Sequence, residues 1–192
     1  MMFAFRPFVP RAILALLSIV LSACSEAEEG WTKVVEPKRF VEKTQLAERA
    51  RDAIAQQLKA ELTAAIAQGG PASGIRVCKD RAPSIAQAVG KQHGVAIGRT
   101  SFRLRNPVNR VPSWAQASVQ ARSSEPEFFE SARGGFAALF PIRLAGQCVV
   151  CHGQPESFGS DLRAALGKRY PEDRATGFKE GDLRGWFWVE MQ

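Results

Sequence analysis

The chain has 192 residues, with 26 Lys and Arg against 19 Asp and Glu, a formal net charge of +7 at pH 7. That length suits one ordinary domain with a single core. The positive excess is scattered as single Arg and Lys residues, with no polybasic run, so nucleic-acid binding is not expected; a solvated basic surface accounts for most of the charge.

The first element is a leader. Arg6 and Arg11 precede an apolar run, AILALLSIVL at 12–21, that is too short for the ~20 residues of a spanning helix. Leu21-Ser22-Ala23-Cys24 resembles a bacterial lipobox, which implies cleavage before Cys24 and lipidation of its thiol; an ordinary secretory cut near Ala23 is the alternative. The lipobox reading makes 1–23 a lipoprotein signal peptide. It implies a periplasmic protein anchored to membrane lipid, with Ser25 favouring the outer over the inner membrane. Without 23 of its 192 residues the mature chain has 169, and without Arg6 and Arg11 its net charge falls from +7 to +5. Residues 24–37 are acidic and irregular and read as a tether.

A helix is expected from about 38 to 68, because Leu46, Ala50, Ile54, Leu58, Leu62 and Ile66 recur every four residues. Gly69-Gly70-Pro71 stops it. With no sustained heptad, its apolar stripe is expected to pack on the domain, not on a second copy. A second helical stretch begins near Ile75, continues past Pro83, which suits a first helical turn, and ends at Gly94. The pattern then changes. Residues 95–100 and 101–105 alternate like strands, 106–112 is turn-rich, and Ser113 can cap a short helix. Strands are expected around Phe128-Phe129 and over 135–142, a helix over 161–169, and a terminal strand over 185–191. Helices first and several strands after them make an α+β plan with an antiparallel sheet.

Late in the chain stands Cys148-Val149-Val150-Cys151-His152, the C-x-x-C-H pattern of c-type haem attachment. Two thiols on one helical turn can add to the two vinyl groups of one porphyrin, and the next histidine is held beneath the iron as its ligand. With four Cys and two His in the chain, chance yields this pattern in roughly one shuffled sequence in fifteen hundred. One covalent haem c is therefore expected on Cys148 and Cys151, with His152 as axial ligand. Export agrees with that chemistry. If Cys24 carries lipid, only Cys78 lacks an assignment. For the sixth iron position the mature chain offers Cys78, His93 and Met191, or an open site. Arg99, Arg103 and Arg105 offer forked donors suited to haem propionates, or form a solvent-facing strand row.

Further residues carry a resemblance. Val77-Cys78 with Ala82-Pro83, Gly98-Arg99-Thr100-Ser101, Arg105-Asn106-Pro107-Val108-Asn109, the haem motif extended to Gly153, Tyr170-Pro171-Glu172-Asp173-Arg174-Ala175-Thr176-Gly177 and Gly181-Asp182-Leu183-Arg184-Gly185 run in one order over about 40–192. The chain resembles the PAS-like single-haem c-type domain family, found as free exported proteins and as sensor domains of histidine kinases. The resemblance implies a PAS-like antiparallel sheet with a long N-terminal helix and flanking helices, a haem domain over 38–192, and Cys78 as the ligand across the haem from His152. Departures from the family pattern are Phe102, Val149 and the two Trp residues, Trp186 and Trp188, of the last strand.

The resulting expectation is a redox or small-ligand sensor module that passes its output to a redox or signalling partner. The alternatives are a membrane-tethered monohaem electron carrier, a zinc site built from Cys78, Cys148, Cys151 and His93 or His152, and a thiol oxidoreductase, which lacks the usual βαβ surroundings. No Ser/His/Asp set or carboxylate pair argues for an enzyme.

Overall fold

The computed structural model describes residues 1–2 and 30–192. The expected cleavage site and Cys24 lie outside the described residues. The elements are β1 (Trp31–Lys33), α1 (Val41–Arg76), α2 (Ala82–His93), β2 (Ala96–Thr100), α3 (Gln116–Gln120), β3 (Glu127–Ser131), β4 (Phe136–Arg143), α4 (Gly146–His152), α5 (Ser160–Arg169) and β5 (Leu183–Met191), with short 3-10 turns between some of them. The five strands form one sheet in the order β1-β3-β4-β5-β2, with every neighbouring pair antiparallel. The fold is α+β, as expected.

Period-two alternation divides the apolar residues between the two faces of the sheet. Phe136, Ala138 and Phe140 of β4, with Phe187, Val189 and Met191 of β5, meet Ala47, Ala50 and Ile54 of α1 and Ile85 and Val89 of α2. Ala137, Leu139 and Trp186 point the other way, onto Trp114, Val119 and Phe129. The unusual tryptophans of β5 thus sit away from α1. Trp186 is fully buried and its indole N–H donates to the Ser123 carbonyl at 2.9 Å, while Trp188 lies so close over Gly98 that a Cβ there would be 2.5 Å from its ring.

The helix expected over 38–68 is present and packs on the sheet, with Ala47, Ala50 and Ile54 buried. It breaks where Gly69-Gly70-Pro71 stands: Gly70 has φ 69°, a left-handed conformation that glycine adopts without a Cβ penalty. Helical geometry resumes directly after the break, earlier than Ile75, and the chain packs back on α1, with Gly74 against Leu62 and Ile66. A five-residue π-helical segment, Val77–Arg81, then leads into α2, with Pro83 in its first turn and Gly94 at its end.

Three local expectations are corrected. Trp31–Lys33 lies within the expected 24–37 tether but forms an edge strand, pinned by pairing with β3 and by Trp31 against Trp114 at 6.0 Å between ring centroids. Residues 101–105 do not continue β2. The Ser101 hydroxyl accepts from Arg103 N–H at 3.0 Å, so a side chain competes with the strand ladder and turns the backbone out of the sheet. Arg99, Arg103 and Arg105 therefore share no strand face. Ser113 does not cap a helix through its side chain; it opens a 3-10 turn behind Pro112, and α3 follows.

Candidate functional site

The α1 stripe serves two surfaces. Its first half lies on the sheet; Leu58, Leu62 and Ile66 of its second half border a cavity of about 460 Å³. Cys78, Arg99, Pro141, Ile142, Cys148, Cys151, His152, Tyr170, Arg184 and Phe187 line the same space. A largely apolar cavity with a few convergent polar groups is the usual form of a ligand site, and its volume lies within the ~300–1,000 Å³ range of such sites. Chain segments far apart in sequence thus bring Cys78 together with all three chemical residues of the C-x-x-C-H motif. All three described cysteines are free thiols.

The motif occupies α4, and the chain around it is heavily bonded. Gly153 N–H donates to the Val149 carbonyl at 2.7 Å and ends the helix; a Cβ at 153 would lie 2.6 Å from that carbonyl, so only glycine fits immediately after His152. Residues 175–178 then run along the motif. Gly177 N–H donates to Gly153 O at 2.6 Å and Phe178 N–H to His152 O at 2.9 Å. The Phe178 ring meets the His152 ring edge-on at 6.4 Å.

His152 Nδ1 lies 2.7 Å from the carbonyl oxygen of Ala175. A carbonyl only accepts, so Nδ1 carries the proton and donates it, leaving Nε2 as the ring nitrogen with a lone pair. Arg184 Nε lies 3.3 Å from the same Nδ1. With Nδ1 protonated, both atoms are donors. The longer contact is therefore a cation beside the ring, not a hydrogen bond. Burial holds the His152 imidazole well below the ordinary histidine range, with Arg105 and Arg184 adding to the effect. His152 is thus a neutral imidazole.

Three arginines surround the motif. Arg105, expected as a propionate holder, borders the cavity and also bonds protein: Nε to Asp173 at 3.0 Å, and one terminal nitrogen to the Cys151 carbonyl at 2.6 Å and the Ala175 carbonyl at 3.1 Å. It braces α4 against the 173–175 segment. Arg103 bonds the Arg174 carbonyl at 2.8 Å and the Thr176 carbonyl, and does not line the cavity. Arg184 donates to Ser101 Oγ at 2.7 Å and to the Arg103 carbonyl at 3.1 Å. Burial, then Arg105, push its guanidinium down to about 10, against the pull of Asp173, and it stays charged at neutral pH. Burial pushes the Cys151 thiol up to about 11, with Arg105 opposing.

Cys78 enters the cavity from the π-helical segment, a backbone form that often marks functional positions. Arg99 and Tyr170 border the same space. Among the described residues neither the Arg99 guanidinium nor the Tyr170 hydroxyl has a hydrogen-bond or ion-pair partner, although Tyr170 is only 3% exposed. Burial lowers Arg99 from the ordinary arginine range, opposed by Cys78, and burial followed by Cys78 holds the Tyr170 phenol above its own. His93 ends α2 and does not border the cavity; Met191 packs in the sheet core. Among the described residues, no three His, Cys, Asp or Glu side chains converge closely enough to hold a metal ion, as the zinc alternative requires.

Sequence reasoning did not assign roles to Arg184, Tyr170 or the Ala175 carbonyl. The available signals were slight: a charge at the start of an apolar terminal strand, and the only tyrosine of the chain.

The comparisons with known proteins agree with this architecture. The family model described as Tll0287-like matches residues 35–191. A solved structure, described as the crystal structure of the cyanobacterial heme-protein Tll0287, is similar at a TM-score of 0.54 and 20% identity, over 81% of this chain and 96% of that one. At that identity the likeness speaks for the fold. No curated protein matches the sequence. The family model spans β2 to β5, the long helix and every residue that borders the cavity, and the chain belongs to the Tll0287-like family.

Proposed function

We propose that the chain is an exported protein carrying one covalently attached c-type haem, and that it acts as a redox or small-ligand sensor module. In this reading Cys148 and Cys151 are the attachment thiols, and His152 and Cys78 are the axial ligands. The observation that carries it is the convergence of these four side chains on one cavity, with His152 Nδ1 bound to Ala175 O and Nε2 left free. The donor set fits the group: two thiols one helical turn apart, an imidazole of defined tautomer, and an unpartnered Arg99 cation suited to a propionate carboxylate. The similarity to a structure described as a heme-protein supports the same reading.

A bound haem supplies a one-electron iron couple. The protein orients His152 through the Ala175 carbonyl, holds Cys78 on the π-helical segment, and excludes water with Leu58, Leu62 and Ile66. A thiolate donates electron density and favours the oxidised metal, so a Cys78–His152 pair gives a lower potential than His/Met ligation. That suits a responsive site better than a fast carrier. The lipobox-like Leu21-Ser22-Ala23-Cys24 supports export, a lipid anchor on Cys24 and a periplasmic location, and a separate redox or signalling protein receives the output.

One feature favours the second reading, a tethered electron carrier: Val150, in the middle of the motif, is 47% exposed, so the attachment helix reaches the surface.

Ferric and ferrous absorption spectra of the haem-matured full chain, with haem staining on a denaturing gel, test the reading. The expected result is a stained band, a low-spin thiolate ferric spectrum that Cys78→Ala abolishes while staining persists, and a CO-dependent change on reduction. An unstained wild-type band, or an unaltered ferric spectrum in Cys78→Ala, overturns it. A CO-inert protein with rapid, reversible electron exchange favours the carrier.

A further inference from the structure

We propose that Arg184 is a positioning residue for His152: a fixed, uncompensated cation against the Nδ1 side of the imidazole that raises the potential of the metal it binds. The inference rests on His152 being an axial haem ligand, as proposed above.

Three observations carry it. Arg184 Nε is 3.3 Å from His152 Nδ1, so the charge lies against the ring itself. The guanidinium is anchored away from solvent by Ser101 Oγ at 2.7 Å and the Arg103 carbonyl at 3.1 Å. Ser101 Oγ also accepts from Arg103 N–H at 3.0 Å, so its remaining proton is free to go to the Arg184 carbonyl at 2.7 Å. One hydroxyl thus holds Arg184 by both its side chain and its main chain. Finally, the cation is not neutralised: among the described residues Arg184 makes no ion pair. The nearby Asp173 carboxylate is bound to Arg105 at 3.0 Å.

The electrostatic consequence has a definite sign. The hydrogen-bonded carbonyl works in the lowering sense: Ala175 O draws on the Nδ1 proton and so makes the imidazole more basic and a stronger donor to the metal. Directly, a positive charge near the iron disfavours the more positive ferric state. The Arg184 charge therefore raises the potential. Ser101, in the Gly98-Arg99-Thr100-Ser101 segment, and Arg184, in the Gly181-Asp182-Leu183-Arg184-Gly185 segment, therefore act as one unit that offsets the lowering produced by a thiolate on the other axial position.

The test is spectroelectrochemistry on the haem-matured full chain, comparing wild type with Arg184→Gln, Arg184→Lys and Ser101→Ala, alongside haem staining and the ferric spectrum. Arg184→Gln is expected to lower the midpoint potential with staining and spin state retained. Arg184→Lys, which keeps the charge but not the fork, is expected to recover part of the shift. Ser101→Ala, which keeps Arg184 but frees it, is expected to shift the potential the same way by less, and serves if Arg184→Gln fails to mature. An unchanged potential in a stained Arg184→Gln protein, or in stained Ser101→Ala where the first variant does not mature, overturns the inference. So does equal lowering in Arg184→Lys, which would mean that packing and not charge is lost. Failure of the underlying haem reading is separate and visible: the wild-type band itself would not stain.

Discussion

The cavity has two unlike walls. The motif wall, made of α4 and the start of β5 and backed by the 173–178 segment, is dense with polar bonds: Arg105, Arg103 and Arg184 each bond backbone carbonyls, and His152 is held through Nδ1 and through its own carbonyl. The helix wall, made of the second half of α1 and the π-helical segment, offers Leu58, Leu62, Ile66 and Cys78, with a backbone break at Gly69 and Gly70 between them. Hydrogen-bond geometry specifies one arrangement, whereas aliphatic side chains on a helix tolerate several. On the proposed haem reading, the motif wall carries the invariant part of the chemistry, the attachment and the His152 tautomer. On the same reading, the helix wall carries the adjustable part, the proposed Cys78 ligand.

Substitutions on the two walls should therefore differ in kind and size. The largest loss of stability is expected from Arg105→Ala. It leaves Asp173 unpaired at a position where both side chains are nearly buried, and breaking such a pair costs about 3–5 kcal/mol. Denaturant unfolding of the loaded protein measures it; a loss below about 1 kcal/mol would show that the motif wall is less rigid than its bonds imply. A smaller loss is expected from Leu62→Ala. Fully buried Leu→Ala changes cost ~2–5 kcal/mol, and the half-buried Leu62 should fall below that range. If Leu62→Ala costs as much as Arg105→Ala, the two walls are not mechanically distinct.

The smallest effect is expected far from both, at the sheet edge. Glu127 accepts from Lys33 Nζ at 2.6 Å, from Ser123 Oγ at 2.5 Å and from Ser118 Oγ, tying β1 and α3 to β3. Burial tends to raise its pKa, but these bonds outweigh it and hold the carboxyl below the ordinary value of 4.5. A depressed carboxylate contributes stability that is complete above the unfolded-state value and is lost as the pH falls through the lower folded-state value. Acid unfolding of Glu127→Gln should therefore show a weaker pH dependence than wild type below about pH 4.5, with the absorption spectrum of the site unchanged.

Legibility followed the range over which each feature is determined. Local patterns were readable: the spacing of Cys148, Cys151 and His152, the period of four from Leu46 to Ile66, the stop at Gly69-Gly70-Pro71 and the alternation of the last strand. Cys78 was singled out by cysteine count and by family resemblance, and the cavity places it with the motif. What was not readable depends on distant partners. The bonds of Arg105 reach 46 to 70 residues along the chain, so nothing near it in sequence marks it as a brace for α4. Arg184 meets His152 only because β5 and α4 converge. β1 has three residues in an acidic stretch, and pairing with β3 makes it a strand. The π-helical segment inserts a residue into the helical ladder without any compositional mark.

The divided stripe of α1 has a consequence for the order in which the protein is built. Ala50 and Ile54 are buried wholly within the polypeptide, whereas Leu58, Leu62 and Ile66 pack on it in part and also border the cavity. An occupant that contacts only the folded chain stabilises it, and here that stabilisation falls on one end of one helix. On the proposed reading, the second half of α1 is less firmly seated before haem is attached than after it. A protease probing the outer half of α1 would then distinguish finished molecules from unfinished ones, making that helix a built-in mark of completed assembly.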